Sequence, residues 1–150
     1  MYAFLAAAVL AAVLAAAAPA ARADDRGAAT AVISAQLKLL DEQLALNKCL
    51  KASPTRNTPC IVRAARRLAA VANRQIGVIR SSLDGNEIAC VRTVANRELS
   101  IQTLWRRGAL ALTRNERKKA KSLFLQAAKL LLEQRQIQPR CFADVLTTPP

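Results

Sequence analysis

The sequence predicts an all-α protein, an up-down antiparallel four-helix bundle stapled by two disulfides. Three observations point there. Apolar residues recur at three- and four-residue steps along most of the 150-residue chain, the period of a helix with one buried side. The apolar content is mainly alanine, leucine, valine and isoleucine, with aromatics at only 3%. That composition suits close helix–helix contact and not a β sandwich, where branched and aromatic residues dominate. Finally, Cys49, Cys60, Cys90 and Cys141 fall where an up-down chain brings helix ends together.

Residues 1–23 read as a secretory signal peptide. Met1 to Ala21 carries no charged side chain and ends in Pro19-Ala20-Ala21-Arg22-Ala23, an A-x-A-like cleavage site before Asp24-Asp25. No Lys or Arg lies near Met1, so only the α-amine supplies the positive start. An uncleaved membrane anchor is the competing reading, opposed by the alanine-rich composition and the cleavage site. The chain has 23 basic and 10 acidic residues; loss of Arg22 with the peptide leaves a net charge of +12. Export to an oxidising compartment makes four cysteines a disulfide framework, and the missing CxxC knuckles argue against zinc.

Residues 24–29 are polar and expected to be disordered, with the bundle domain spanning 30–146. A first helix is expected from Thr30 to Lys51, with Ile33, Leu37, Leu40 and Leu44 as its stripe and Val32, Leu39 and Leu46 as a second row. After a loop from Ser53, Thr58 is a good N-cap and Pro59 a good first residue for the second helix. That helix buries Ala65, Leu68, Ala72, Ile76, Ile79 and Leu83 and turns Arg63, Arg67 and Arg74, flanked by Arg66, to solvent. Asp84-Gly85-Asn86 breaks the chain; Gly85 suits a positive φ, and Asp84 with Glu87 has capping-box spacing.

The third helix, 86–113, buries Ile88, Val91, Ala95, Leu99, Leu104, Trp105, Ala109 and Leu112. Gly108 is expected to kink or end it, and Thr113 with Glu116 forms a second capping-box pattern. The fourth helix is expected from Arg114 to Gln136, burying Ala120, Leu123, Phe124, Ala127, Leu130 and Leu131. Pro139 is expected to stop it, with residues 140–146 packing back as a tail and 147–150 disordered. Gly108, Ala120, Phe124 and Ala127 resemble in spacing the small and large residues of one tetratricopeptide helical pair, without an aromatic at Ala111. The resemblance implies antiparallel packing of the third helix on the fourth.

Up-down order puts Cys49 and Cys60 at one pole and Cys90 and Cys141 at the other. Pairing within each pole is the one connectivity that avoids crossing the bundle, about 30 Å for a 20-residue helix. A redox role would want a low-pKa CxxC motif, which is missing.

Arg106, Arg107, Arg114, Arg117, Lys118, Lys119 and Lys121 crowd the turn between the third and fourth helices, with only Glu116 to offset them. Such a pole attracts phosphate or sulfate polymers and anionic lipid headgroups, unless it serves only as a solubilising surface. The shortage of stacking aromatics and the exported location argue against nucleic acid. Glu98 lies in the apolar arc of the third helix. It reads either as the partner of an arginine, including Arg97, or of Gln102, or as a ligand or catalytic group in the core.

Histidine is absent, which excludes Ser/His/Asp and Cys/His catalysis. No glycine-rich phosphate loop occurs, and Asp24-Asp25 and Asp41-Glu42 are adjacent pairs that would not converge as a glycosidase couple. No metal and no cofactor is implied. The expected function is that of an exported binding or interaction module, secreted or periplasmic, without a transmembrane helix once the signal is removed. Its expected partner is anionic: a lipid headgroup, an envelope polymer or an acidic protein. The alternative is a histidine-free helical enzyme or small-ligand binder using Glu98 and arginines in the core. The sequence does not set the oligomeric state.

N-terminal sequencing of exported protein should begin at Asp24; an intact Met1 would establish the anchor instead.

Overall fold

The computed structural model describes residues 23–147, so the cleavage expected within residues 1–23 and the tail at 148–150 lie outside the described residues. Four helices follow in chain order: α1 (Ala23–Ala52), α2 (Pro59–Ser81), α3 (Ala89–Thr113) and α4 (Arg117–Thr147). Each packs mainly on its neighbour in the chain, in up-down order. The Cys49–Cys60 disulfide closes one pole and Cys90–Cys141 the other, with Cα separations of 5.7 and 5.8 Å, as the topology requires.

The start of α1 differs from expectation. The helix begins at Ala23, and residues 24–29 belong to it. Ala28 and Ala29 are fully buried against Val91, Val94, Phe142 and Val145, which supplies the packing that a polar first impression hides. Asp25 is buried as well. Its Oδ1 accepts the Ile88 N–H at 2.7 Å, so the start of α1 satisfies an amide at the start of α3. The buried row of α1 is Ala28, Val32, Ala35, Leu39, Leu46 and Cys49, while Leu37 and Leu44 face solvent. The alanines mark the contact because only a small side chain lets a neighbouring backbone come close.

The α2 cap is as expected: Thr58 Oγ1 accepts the Ile61 N–H and Pro59 opens the helix. The α2–α3 turn keeps one half of the expected capping box, the Glu87 side chain on the Asp84 N–H, without a helix starting at Asp84. Gly85 takes φ +92°, and the Glu87 carboxylate accepts the N–H groups of Asp84 (2.5 Å) and Gly85 (3.0 Å). Asp84 Oδ1 accepts the Asn86 N–H, an Asx turn. Glu87 therefore closes the turn, and α3 begins at Ala89, not at Asn86.

Gly108 neither kinks nor ends α3, which continues to Thr113. A Cβ at Gly108 would lie 2.4 Å from Phe124 Cε1, so the missing side chain is the seat of the Phe124 ring, itself stacked on Trp105 at 4.7 Å between centroids. The α3–α4 turn is a Schellman motif and not a capping box. Asn115, at φ 61°, is the left-handed residue; the Glu116 N–H reaches Ala111 O and the Asn115 N–H reaches Leu112 O. Thr113 Oγ1 donates back to Leu110 O, so α4 starts at Arg117 and not Arg114.

Helix α4 also passes through Pro139, contrary to the expected stop at Gln136 and separate tail. Proline costs the helix one amide bond locally. Beyond it, Cys141 is tied to Cys90, and Phe142 and Val145 are buried in the cluster that also holds Ala28, Val32 and Val94. That packing keeps residues 140–147 helical.

The apolar core is split in two. One cluster joins Ala28–Ala35, Ile79, Val91–Ala95 and Cys141–Val145 at the Cys90–Cys141 pole. The other joins Leu39, Leu46, Ile61–Ala72 and Ala109–Ala120 at the Cys49–Cys60 pole. Buried outside both clusters are the polar side chains Gln75, Glu98, Gln102 and Gln134, alongside Ile76, Ile101, Leu123 and Ala127.

Replacing Gly108 by Ala sets helix propensity, worth about 1 kcal/mol in favour of Ala, against a clash with a stacked ring, worth about 1–3 kcal/mol. The clash should win: Gly108→Ala should lower stability in urea denaturation. Gly77→Ala, where nothing lies within 4 Å of the added Cβ, should raise it.

Candidate functional site

Two constellations carry chemistry: the buried carboxylate at mid-bundle and the basic surface of the α3–α4 pole.

Glu98 projects from α3 and is fully buried. No arginine among the described residues bonds it. Its Oε1 accepts from Gln102 Nε2 at 2.8 Å, one turn along α3. Its Oε2 accepts from Gln36 Nε2 of α1 at 2.9 Å and from Gln134 Nε2 of α4 at 2.7 Å. Gln138 then joins the outer pair: its Oε1 accepts from Gln36 (2.9 Å) and Gln134 (3.1 Å), and its Nε2 donates to Gln36 Oε1 (3.1 Å). Arg97, one expected partner, points elsewhere and pairs with Glu133 at 3.9 Å. The expected core of Glu98 with arginines is thus a cage of amides, with Gln102 the one anticipated partner that is present.

Burial pushes the Glu98 carboxyl up from its ordinary value, and the three amide donors from Gln36, Gln102 and Gln134 pull the other way. Among the described residues, the Oε1 atoms of Gln102 and Gln134 are buried without a partner. Both carboxyl oxygens are thus met by N–H groups of neutral amides. The work of the cage is structural: it ties α1, α3 and α4 at one level of the bundle.

The basic pole divides on inspection. Arg117 is a clasp for the α1–α2 loop. Its guanidinium donates to Asn57 Oδ1 (2.8 Å) and to the carbonyls of Ser53 (3.3 Å), Arg56 (3.0 Å) and Pro54. Asn57 Nδ2 in turn donates to Leu112 O at 2.5 Å, at the end of α3. Arg106 Nη1 donates to Asn73 Oδ1 of α2 at 2.7 Å, and Lys119 pairs with Glu116 at 3.0 Å. Arg106 and Arg117 thus tie separate helices and loops together, whereas the exposed Lys119 is paired only within its own turn. Arg107, Arg114, Lys118 and Lys121 are exposed and have no partner among the described residues.

The structure also adds to this surface. Lys118 and Lys121 line a shallow groove on α4 with Ser122, Leu125, Gln126 and Lys129, and Leu125 and Leu132 are each 61% exposed. The signal was present in the sequence as Lys118, Leu125, Lys129 and Leu132 at helical spacing, opposite Leu123, Ala127 and Leu130–Leu131. Leu125 and Leu132 fall outside the expected buried side of the fourth helix, but apolar spacing alone does not say whether a neighbouring helix covers them.

Acid gathers at the other pole, where Asp24, Asp25, Asp84 and Glu87 lie close together. The hydrogen bond between Asp24 and Asp84 raises the Asp24 carboxyl, and the Asn86 N–H lowers that of Asp84. Both are exposed. The charge of the molecule is therefore polarised along the bundle axis. Among the described residues no group of three or more His, Cys, Asp or Glu side chains is placed to hold a metal, and no helix is long and apolar enough to cross a membrane.

A carboxyl raised in the folded state favours folding when protonated. Its contribution is full below the ordinary glutamate value, about 4.3, and is lost as pH climbs through the raised native value. Glu98→Gln should remove that loss, keeping one acceptor for Gln36 and Gln134 and offering an N–H to the unpartnered Oε1 of Gln102 after an amide flip. Its stability relative to the parent protein should therefore grow from pH 4 to pH 8 in denaturant titrations; a difference independent of pH would refute the linkage. Glu98→Leu strands the three amides and should cost about 3 kcal/mol.

Comparison of the chain with protein-family models, with curated proteins and with solved structures finds no match, so its function rests on these residues and their geometry.

Proposed function

We propose that the protein is an exported helical binding module that engages an anionic partner through the α3–α4 pole. One observation carries the reading: Arg107, Arg114, Lys118 and Lys121 stand exposed, with no partner among the described residues, around one turn. Four of the 10 acidic residues, Asp24, Asp25, Asp84 and Glu87, sit at the opposite end. Unpaired like charges close together repel one another, and an anion that neutralises them relieves that cost. The two disulfides and the apolar leader with its A-x-A-like site support a secreted or periplasmic location, where such bonds persist. The engaged side chains Arg106 and Arg117 position the turn.

Inorganic polyphosphate is a suitable probe of the anionic class. It should bind in low salt and be released as ionic strength rises, since exposed charges are screened over about 8 Å at physiological salt. Replacing Arg114, Lys118 and Lys121 by Gln should weaken binding roughly tenfold more than replacing Arg63, Arg66 and Arg74, although each triple change removes equal charge. Equal losses would show that net charge alone draws the anion and that the pole has no special role.

A further inference from the structure

We infer that the anionic partner is a lipid bilayer surface, met by the outward face of α4 with Leu125 and Leu132 entering the headgroup region between Lys118, Lys121 and Lys129. The inference rests on the binding reading above and names its partner.

The face is made by spacing. Lys118, Lys121, Leu125, Lys129 and Leu132 recur at three- and four-residue steps and so share one side of α4, over about 21 Å of helix. All five are exposed, while the opposite side, Ala120, Leu123, Ala127 and Gln134, is buried in the bundle. The face thus combines two large apolar side chains, each 61% exposed, with three ammonium groups that have no partner among the described residues. The acids beside this face in the sequence pair with other cations: Glu116 with Lys119 at 3.0 Å and Glu133 with Arg97 at 3.9 Å.

That chemistry matches an anionic interface in both its parts. Lysine stems lie along apolar surface and carry their charge to the phosphate level, while leucines gain by leaving water for the acyl boundary. A soluble polyanion would use the lysines and leave the leucines in water. A second copy of the chain across this face would set Lys118, Lys121 and Lys129 against their own like charges. The bilayer is the occupant that uses every group on the face.

The test uses processed protein from the export compartment, with vesicles of phosphatidylglycerol and phosphatidylcholine, pure phosphatidylcholine vesicles, and polyphosphate. The parent protein should sediment with the anionic vesicles only. Leu125→Gln with Leu132→Gln should weaken vesicle binding about tenfold or more, leave polyphosphate binding unchanged and keep the helical circular dichroism. Lys129→Gln, remote from the α3–α4 turn, should also weaken vesicle binding. Binding to polyphosphate but not to anionic vesicles, or vesicle binding indifferent to the leucines, would overturn the bilayer and leave the anion reading standing. A lipid-free dimer lost on the leucine changes, with vesicle binding intact, would overturn it in favour of self-association. Failure to bind either anion would remove both readings.

Discussion

The cage around Glu98 is the constraint that fixes how the bundle goes together. A buried carboxylate left without donors costs several kcal/mol, so the fold is held to arrangements in which Gln36, Gln102 and Gln134 reach it at once. Those residues come from α1, α3 and α4. Leucine and alanine stripes alone are permissive, since sliding one helix by a turn exchanges similar apolar contacts. A slide of one turn here would strand the carboxylate, and Gln138 fastens the same level from a second side. We read the cage as specifying register, in a core otherwise built of interchangeable small and aliphatic residues.

The two poles complete what the belt begins. At one, Cys49–Cys60, the Arg117 clasp and the Asn57 bond to Leu112 bind the α1–α2 loop to the α3–α4 turn. At the other, Cys90–Cys141, the Asp25 bond to Ile88 and the Arg26 bond to Val145 O join the ends of α1, α3 and α4. Apolar clusters fill the space between each pole and the belt. This division assigns charge as well. Arg117 is used as a multidentate donor to loop carbonyls, whereas Lys118, Lys121 and Lys129 of α4 have no partner among the described residues, in keeping with the fork geometry of guanidinium and the point charge of ammonium. What is left over, after the fold has taken the donors it needs, is the lysine–leucine face of α4.

Much of this was legible in the sequence. Helical class, antiparallel order and disulfide pairing follow from apolar period and cysteine placement, because a chain of short-looped helices allows few ways to gather four thiols. The Thr58–Pro59 start and the buried side of α2 were legible for similar local reasons. That Glu98 is buried was readable from its place in the apolar arc; that amides surround it was not, since Gln36 and Gln134 are polar residues on distant helices with no signature of their own.

The rest required the tertiary structure, and each case has one cause: a local preference overruled by a distant contact. Pro139 breaks an isolated helix, yet burial of Phe142 and Val145 and the bond to Cys90 carry α4 onward. Gly108 marks a break by propensity, yet the Phe124 ring occupies the space that its missing side chain leaves. Leu37 and Leu44 read as core by hydrophobicity, yet neighbouring helices cover only one side of α1, and alanines fill the contact. Arg117 reads as a surface cation, yet the α1–α2 loop lies within reach of its five N–H groups. The sequence alone determined that the chain forms four helices and which of their ends meet. Only the packed structure decided which polar groups were consumed in holding it and which remained to face a partner, because that depends on distances between residues far apart in the chain.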